Sequence, residues 1–80
     1  MTKNEFINKI ERGSDIMFDV HDKHFTILTW CNEGIGIDEQ HPNEKGMQYF
    51  ETASELVEKF LVNNIPIGNL VNKIIITDYS

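Results

Sequence analysis

The sequence contains a single cysteine, Cys31, so it cannot form a disulfide within the chain. Its cysteine content therefore gives no indication of an oxidising compartment. Residues 1–20 lack a basic region followed by an apolar run, and no stretch approaches the roughly 18 apolar residues of a membrane helix. We therefore expect a cytoplasmic protein that has neither a signal peptide nor a membrane partner.

Basic side chains are also scarce, with 7 Lys and Arg against 13 Asp and Glu, which gives a net charge of −6. Proteins that bind nucleic acid neutralise phosphates with a basic stripe, whereas the basic residues here are scattered singly. The charge therefore argues against direct nucleic-acid binding and favours a basic protein partner. A protein that imitates the phosphates of DNA is a minor alternative.

Alanine and arginine occur once each, against eleven isoleucines. Such usage is typical of an AT-rich coding sequence and suggests a bacterial or phage source. The 80 residues are enough for one small domain of low stability, and we expect a single domain over residues 1–80. With 40% hydrophobic and 25% charged residues, the chain has an ordinary globular composition and not that of a disordered chain. We expect no cofactor.

Residues 15–37 predict a three-stranded antiparallel meander. In the first strand, Ile16, Phe18 and Val20 alternate with polar positions, the period of a half-buried strand. A turn at residues 21–23 leads into residues 24–30, where β-branched and aromatic residues at both parities predict a central strand. The third strand, residues 34–38, contains Gly34 and Gly36, which indicate a weakened strand, a bulge or a close backbone approach.

Two capping boxes predict two helices. Thr2 with Glu5 starts an N-terminal helix, for which Gly13 is the expected stop. Thr52 with Glu55 starts a second helix, which we expect to run through about residue 63. After it, residues 63–69 are expected to form a loop and residues 70–71 a single helical turn.

The remaining segments complete an α+β fold in the order α-β-β-β-(β)-α-β, with an antiparallel sheet of three to five strands. Residues 40–46 are predicted to form a surface loop, and residues 47–50 a short fourth strand. The last strand, residues 73–79, has apolar residues at both parities. We therefore expect it inside the sheet or under the first helix.

The second face of the meander yields the main functional hypothesis. If one face is buried by a helix, Met17, Leu28 and Trp30 remain on the other face. Either the two helices cover one face each, or these residues form an exposed patch for a partner or for a second copy of the chain. The acidic residues of this predicted patch are Asp15, Asp19 and Glu33.

His21 and His24 flank the first turn, and Cys31 and His41 follow, so ligand types for zinc are present. Structural zinc sites usually combine two closely spaced ligand pairs, whereas only one pair occurs here. A solvated turn is the simpler interpretation. Cys31 beside a histidine could also act as a nucleophile, although a lone cysteine at a strand end is more often an apolar filler.

No stretch of the sequence commits the chain to a reaction. Asp15 and Asp19 lie about 13 Å apart along a strand, too far to act as an acid–base pair on one bond. The leading hypothesis is a non-enzymatic protein-interaction module, for example an accessory or inhibitor protein of a phage or mobile element. The alternatives are a metal-binding domain that uses His21 and His24, and a small enzyme whose site is completed by oligomerisation.

Overall fold

The computed structural model describes residues 1–13, 15–40 and 46–79, without the side chain of Trp30. Its elements confirm the predicted α+β architecture. In chain order they are helix α1 (Lys3–Glu11), strands β1 (Ile16–Val20), β2 (Lys23–Cys31), β3 (Gly34–Glu39) and β4 (Gln48–Phe50), helix α2 (Ala53–Lys59), strands β5 (Leu61–Val62) and β6 (Ile65–Pro66), a 3₁₀ helix (Ile67–Lys73) and strand β7 (Ile75–Tyr79).

Five strands form one antiparallel sheet in the order β4-β3-β2-β1-β7. The predicted meander is confirmed, with β2 at its centre. Of the two positions predicted for the last strand, the one inside the sheet is wrong, because β7 pairs with β1 at the edge. Its two apolar faces have different surroundings: Ile76 packs against the core, whereas Ile75 is 66% exposed.

The capping box of α1 is formed as predicted. The Glu5 backbone N–H donates to the Thr2 hydroxyl at 3.1 Å, and the Thr2 N–H donates to the Glu5 carboxylate at 2.8 Å. Arg12 caps the other end, and Gly13 follows with a φ of +80°. A glycine adopts this left-handed conformation without the steric cost of a Cβ, so α1 ends where the sequence predicts.

Helix α2 ends earlier than predicted. The Thr52 hydroxyl accepts from the Glu55 N–H at 3.0 Å, but the helix stops at Lys59. Strands β5 and β6 follow as a hairpin, whose tip residues Asn63 and Asn64 have φ values of +54° and +67°. Two consecutive left-handed residues are the hallmark of a type I′ turn, which asparagine tolerates well. The loop predicted for residues 63–69 is replaced in part by β6 and the start of the 3₁₀ helix, whereas the helical turn predicted at residues 70–71 is confirmed as part of that longer 3₁₀ helix.

Both helices pack on the same face of the sheet. The two helices contact each other and the 3₁₀ helix. The core is formed by these elements and by the side chains that the five-stranded sheet turns toward them. Four aromatic rings run through this core in successive contact, namely Phe6, Phe18, Phe25 and Phe60. The alternative in which each helix covers one face is therefore wrong, and within the described residues no helix lies over the second face.

Neither helix in the described ranges is long and apolar enough to cross a membrane.

Candidate protein-binding face

The side of the sheet that faces away from the helices is the candidate site, and we call it the open face. Strand alternation and register assign its residues, because directly paired residues of neighbouring strands point to the same side. The open face consists of Met17, Asp19, His24, Thr26, Leu28, Gly36, Asp38, Tyr49, Ile75 and Asp78. It thus spans all five strands of the sheet.

An apolar groove lies at the centre of this face. Leu28 pairs with Gly36, which in turn pairs with Tyr49 on the edge strand. Because Gly36 has no side chain, Met47 and Tyr49 lie directly over the β3 backbone. The groove has a volume of about 450 Å³, and its lining residues are Leu28, Cys31, Asn32, Glu33, Met47 and Tyr49. Its apolar members stay partly accessible, with Tyr49 42% exposed.

Carboxylates surround the apolar residues of the open face. Asp19, Asp38 and Asp78 belong to the face, and Glu33 stands at the end of the groove. Among these described residues there is no lysine or arginine. The face does include His24, which pairs with Asp19 across β1 and β2; the Nδ1 atom of His24 lies 2.5 Å from the Oδ1 atom of Asp19. The open face is therefore both partly apolar and negatively charged.

Asp38 is the carboxylate of this face that has a buried oxygen without a hydrogen-bond donor among the described residues. Its Oδ1 is buried, and no donor within the described part of the chain forms a hydrogen bond with it. A buried oxygen in this state costs free energy, typically about 1–3 kcal/mol, because it has lost its hydration without replacement.

Desolvation and the negative charge around the groove affect the pKa of Tyr49. Partial desolvation, followed by the negative charges of Glu33, Cys31 and Asp38, raises the pKa of the Tyr49 phenol above its usual range. The direction is the one expected where a phenolate would form beside other negative groups. At neutral pH Tyr49 therefore remains a neutral hydrogen-bond donor that faces outward.

The predicted patch is only partly brought together. Met17, Asp19 and Leu28 lie on the open face, and Glu33 reaches the groove. Asp15 is half-buried just before β1 and lies outside the groove. The backbone of Trp30 belongs to β2, but its side chain lies outside the described residues.

Sequence reasoning missed several residues of the face, chiefly Tyr49, Met47, Asp38 and Ile75. The signal for Tyr49 and Met47 was present, because they alternate with Gln48 in a short strand. A glycine in the neighbouring strand also indicates that side chains approach its backbone. Asp38 and Ile75 could be placed on the face only once the register of β3 and the edge position of β7 were known, and the sequence shows neither.

The residues proposed for metal binding are separated in the structure. His21 is exposed at the turn with a φ of +55°, whereas His24 points to Asp19. Cys31 lies at the other end of β2, seven residues and about 23 Å from His24. Over the described ranges no group of three or more His, Cys, Asp or Glu residues is placed to hold a metal ion. His41 lies outside the described residues.

Comparison of the chain with protein-family models, with curated proteins and with solved structures finds no match. A functional proposal for this chain therefore depends on the geometry and charge of the open face.

Proposed function

We propose that this protein is a non-enzymatic interaction module that binds a basic partner protein through the open face of its sheet. The observation that carries the proposal is that both helices pack on one face of the sheet, while the other face keeps accessible apolar residues among carboxylates. Sheets are normally covered on any face that presents a continuous apolar surface. A partner would supply that second cover.

The charge of the face favours a basic partner over a second copy of the chain. Two copies that met face to face would bring Asp19, Asp38 and Asp78 of each copy together, and each copy carries a net charge of −6. Like charges at an interface are destabilising, whereas lysine and arginine around an apolar centre would be attracted to this rim. Lysine and arginine of a partner would also be attracted by the negative charge of Asp38, whose Oδ1 has no described hydrogen-bond donor.

The test begins with capture of binding proteins at low salt, followed by expression of each captured protein alone and titration against the purified chain. We expect Leu28→Asp to weaken the purified complex at least tenfold, because it places a charge in the apolar groove. The double variant Asp19→Asn/Asp78→Asn should weaken binding at about 50 mM salt and match the unmodified chain near 500 mM, where screening removes the charge attraction.

The matched control is Glu58→Gln, which removes one negative charge from the exposed side of α2, away from the open face. Its affinity should stay within about twofold of the unmodified chain. The proposal is wrong if the three variants weaken binding equally, or if neither salt nor Leu28→Asp changes the affinity. It is also wrong if light scattering shows a dimer that Leu28→Asp dissociates, because the open face would then be a self-interface.

A cytoplasmic setting and a role as an accessory or inhibitor protein of a phage or mobile element belong to the same proposal. They are supported by the small size, the acidic charge and the isoleucine-rich, alanine-poor composition of the chain. An acidic surface suits an inhibitor of a nucleic-acid-binding protein, because such targets present basic surfaces. Salt-dependent inhibition of a captured nucleic-acid-binding protein would support this role.

A further inference from the structure

A separate cavity of about 280 Å³ lies at the end of the sheet where β3 ends and β4 begins. The β5–β6 hairpin forms its opposite wall through Asn63 and Asn64, and Phe25 and Phe60 provide an aromatic wall. Apart from Asp38, the lining shares no residue with the open face or its groove. Asp38 contributes its charge to both sites, whereas Glu39 and Lys23 line the cavity and do not belong to the open face.

Glu39 contributes a buried carboxylate to the lining of this cavity. It is 9% exposed, and it is the charged residue that the described part of the chain buries most deeply. Its partner there is Lys23, whose Nζ lies 3.7 Å from Oε2. That distance exceeds the 2.7–3.2 Å range of an N–H···O hydrogen bond, so the pair is an ion pair without a direct hydrogen bond. Glu39 thus places a carboxylate that is largely shielded from water against the cavity, with an ion pair to Lys23.

The charges of the described lining residues favour a cation. Asp38 and Glu39 contribute two negative charges and Lys23 one positive charge, so these lining residues sum to −1. The Phe25 and Phe60 rings, which contact each other edge to face with centroids 5.7 Å apart, add an apolar surface. The cavity volume lies at the small end of the range for ligand sites and suits a single side chain or a compact molecule.

We propose that this cavity binds a guanidinium group. A guanidinium presents five donors in a planar fork that matches a carboxylate, it stacks on aromatic rings, and it is less strongly hydrated than an ammonium. It would donate to Glu39 and lie against the phenylalanine wall, opposite Asn63 and Asn64. The group can come from an arginine of a protein partner or from a free small guanidine.

The test is a titration of the isotope-labelled full chain by NMR, followed at the amide signals of Gln48, Asn63 and Asn64. The probes are agmatine, which is a free guanidine, and N-acetyl-arginine amide, which mimics an arginine in a chain. N-acetyl-citrulline amide is the uncharged control of the same shape. We expect saturable shifts with a dissociation constant of about 1 mM or below for a guanidine, and at least tenfold weaker binding of the citrulline compound.

Two variants link binding to the cavity. Glu39→Gln should weaken guanidine binding at least tenfold, and Lys23→Gln should strengthen it, because the competing cation is removed. Glu58→Gln on the far side of α2 should leave the affinity unchanged. Tighter binding of the arginine compound than of agmatine would identify a partner's arginine as the source, and equal binding would show that a free guanidine suffices.

The proposal is overturned if no saturable shift occurs with either guanidine, or if the citrulline compound binds equally well. It is also overturned if Glu39→Gln and Lys23→Gln, each folded as judged by its NMR spectrum, leave the affinity unchanged. These outcomes do not bear on Leu28→Asp, so failure here and failure of the open-face proposal are distinguishable.

Discussion

Tyr49 stands directly across from Gly36 in the β3–β4 pair, and its ring occupies the space beside the missing side chain. A Cβ placed on Gly36 would lie 3.2 Å from Cε1 of Tyr49 and would also collide with the Met47 side chain. The absence of one side chain therefore lets two large ones cover the sheet. This arrangement creates the groove and places the Tyr49 phenol among carboxylates.

The pKa of Tyr49 provides a direct test of that arrangement. In a Tyr79→Phe background, which leaves one titrating tyrosine, we expect Glu33→Gln to lower the pKa of Tyr49, because it removes a charge that opposes phenolate formation. Asp38→Asn should lower it as well. Absorbance at alkaline pH measures the titration, and Asp22→Asn at the exposed β1–β2 turn is the control.

The same raised pKa affects stability at alkaline pH. The folded chain disfavours the phenolate of Tyr49. The contribution of the neutral phenol to the free energy of unfolding is therefore fully present below about pH 10, the ordinary tyrosine pKa. It is lost as the pH rises through the raised pKa of the folded state. Urea unfolding between about pH 9 and 11 should show a smaller decline for Tyr49→Phe than for the unmodified chain.

Gly34 and Gly46 form a matched pair for a backbone test. Both have positive φ, at +122° and +90°, so alanine at either position should cost about 1–2 kcal/mol. Only at Gly34 would the new Cβ also meet the Phe50 carbonyl oxygen, at 2.6 Å, whereas no described atom lies within 4 Å at Gly46. Urea unfolding should therefore show a larger loss for Gly34→Ala. Equal losses would mean that β3 and β4 do not approach so closely.

Ile27 and Leu28 are neighbours in β2 that point to opposite faces. Ile27 is fully buried, so Ile27→Ala should cost about 2–5 kcal/mol, and Ile27→Val about 1 kcal/mol if the alanine variant does not fold. Leu28 is only half-buried on the open face, and Leu28→Ala should cost about 1 kcal/mol. Denaturant midpoints compare them. A loss at Leu28 as large as at Ile27 would mean that the second face is covered in the isolated chain.

The capping box of α1 predicts an acid-sensitive contribution to stability. Hydrogen bonds from the Thr2 backbone and side chain lower the pKa of Glu5; desolvation opposes them, and the charges of the N-terminus and Lys9 add smaller lowering effects. A lowered folded-state pKa stabilises the fold above the ordinary glutamate pKa, and this contribution is lost as the pH falls through the lowered value. The stability difference between the unmodified chain and Glu5→Gln should therefore shrink on acidification.

The control for this experiment is Glu11→Gln, which removes a charge at the other end of α1. NMR titration of the Glu5 carboxyl carbon supplies the pKa itself. A Glu5→Gln difference that stays constant from neutral to acidic pH would show that the capping carboxylate does not contribute in the way the hydrogen bonds indicate.

Much of the fold could be predicted because its signals are local. Thr2, Glu5 and Gly13 lie within one or two helical turns of the groups they contact, so the bounds of α1 follow from neighbouring residues. The alternation of Ile16, Phe18 and Val20 likewise depends only on the period of a strand. The end of α2 was harder to predict from the sequence, because the apolar helical pattern continues past Lys59 while Asn63 and Asn64 favour a hairpin turn.

The sequence alone determined the meander, the two helix starts, the acidic charge and the parity that divides each strand into two faces. The tertiary structure alone decided that both helices take the same face, that β7 lies at the edge, and that Tyr49 covers Gly36. The physical reason is that periodicity and caps act between residues close in the chain, whereas the choice of face and the order of strands depend on packing between distant segments. The open face is a product of that packing.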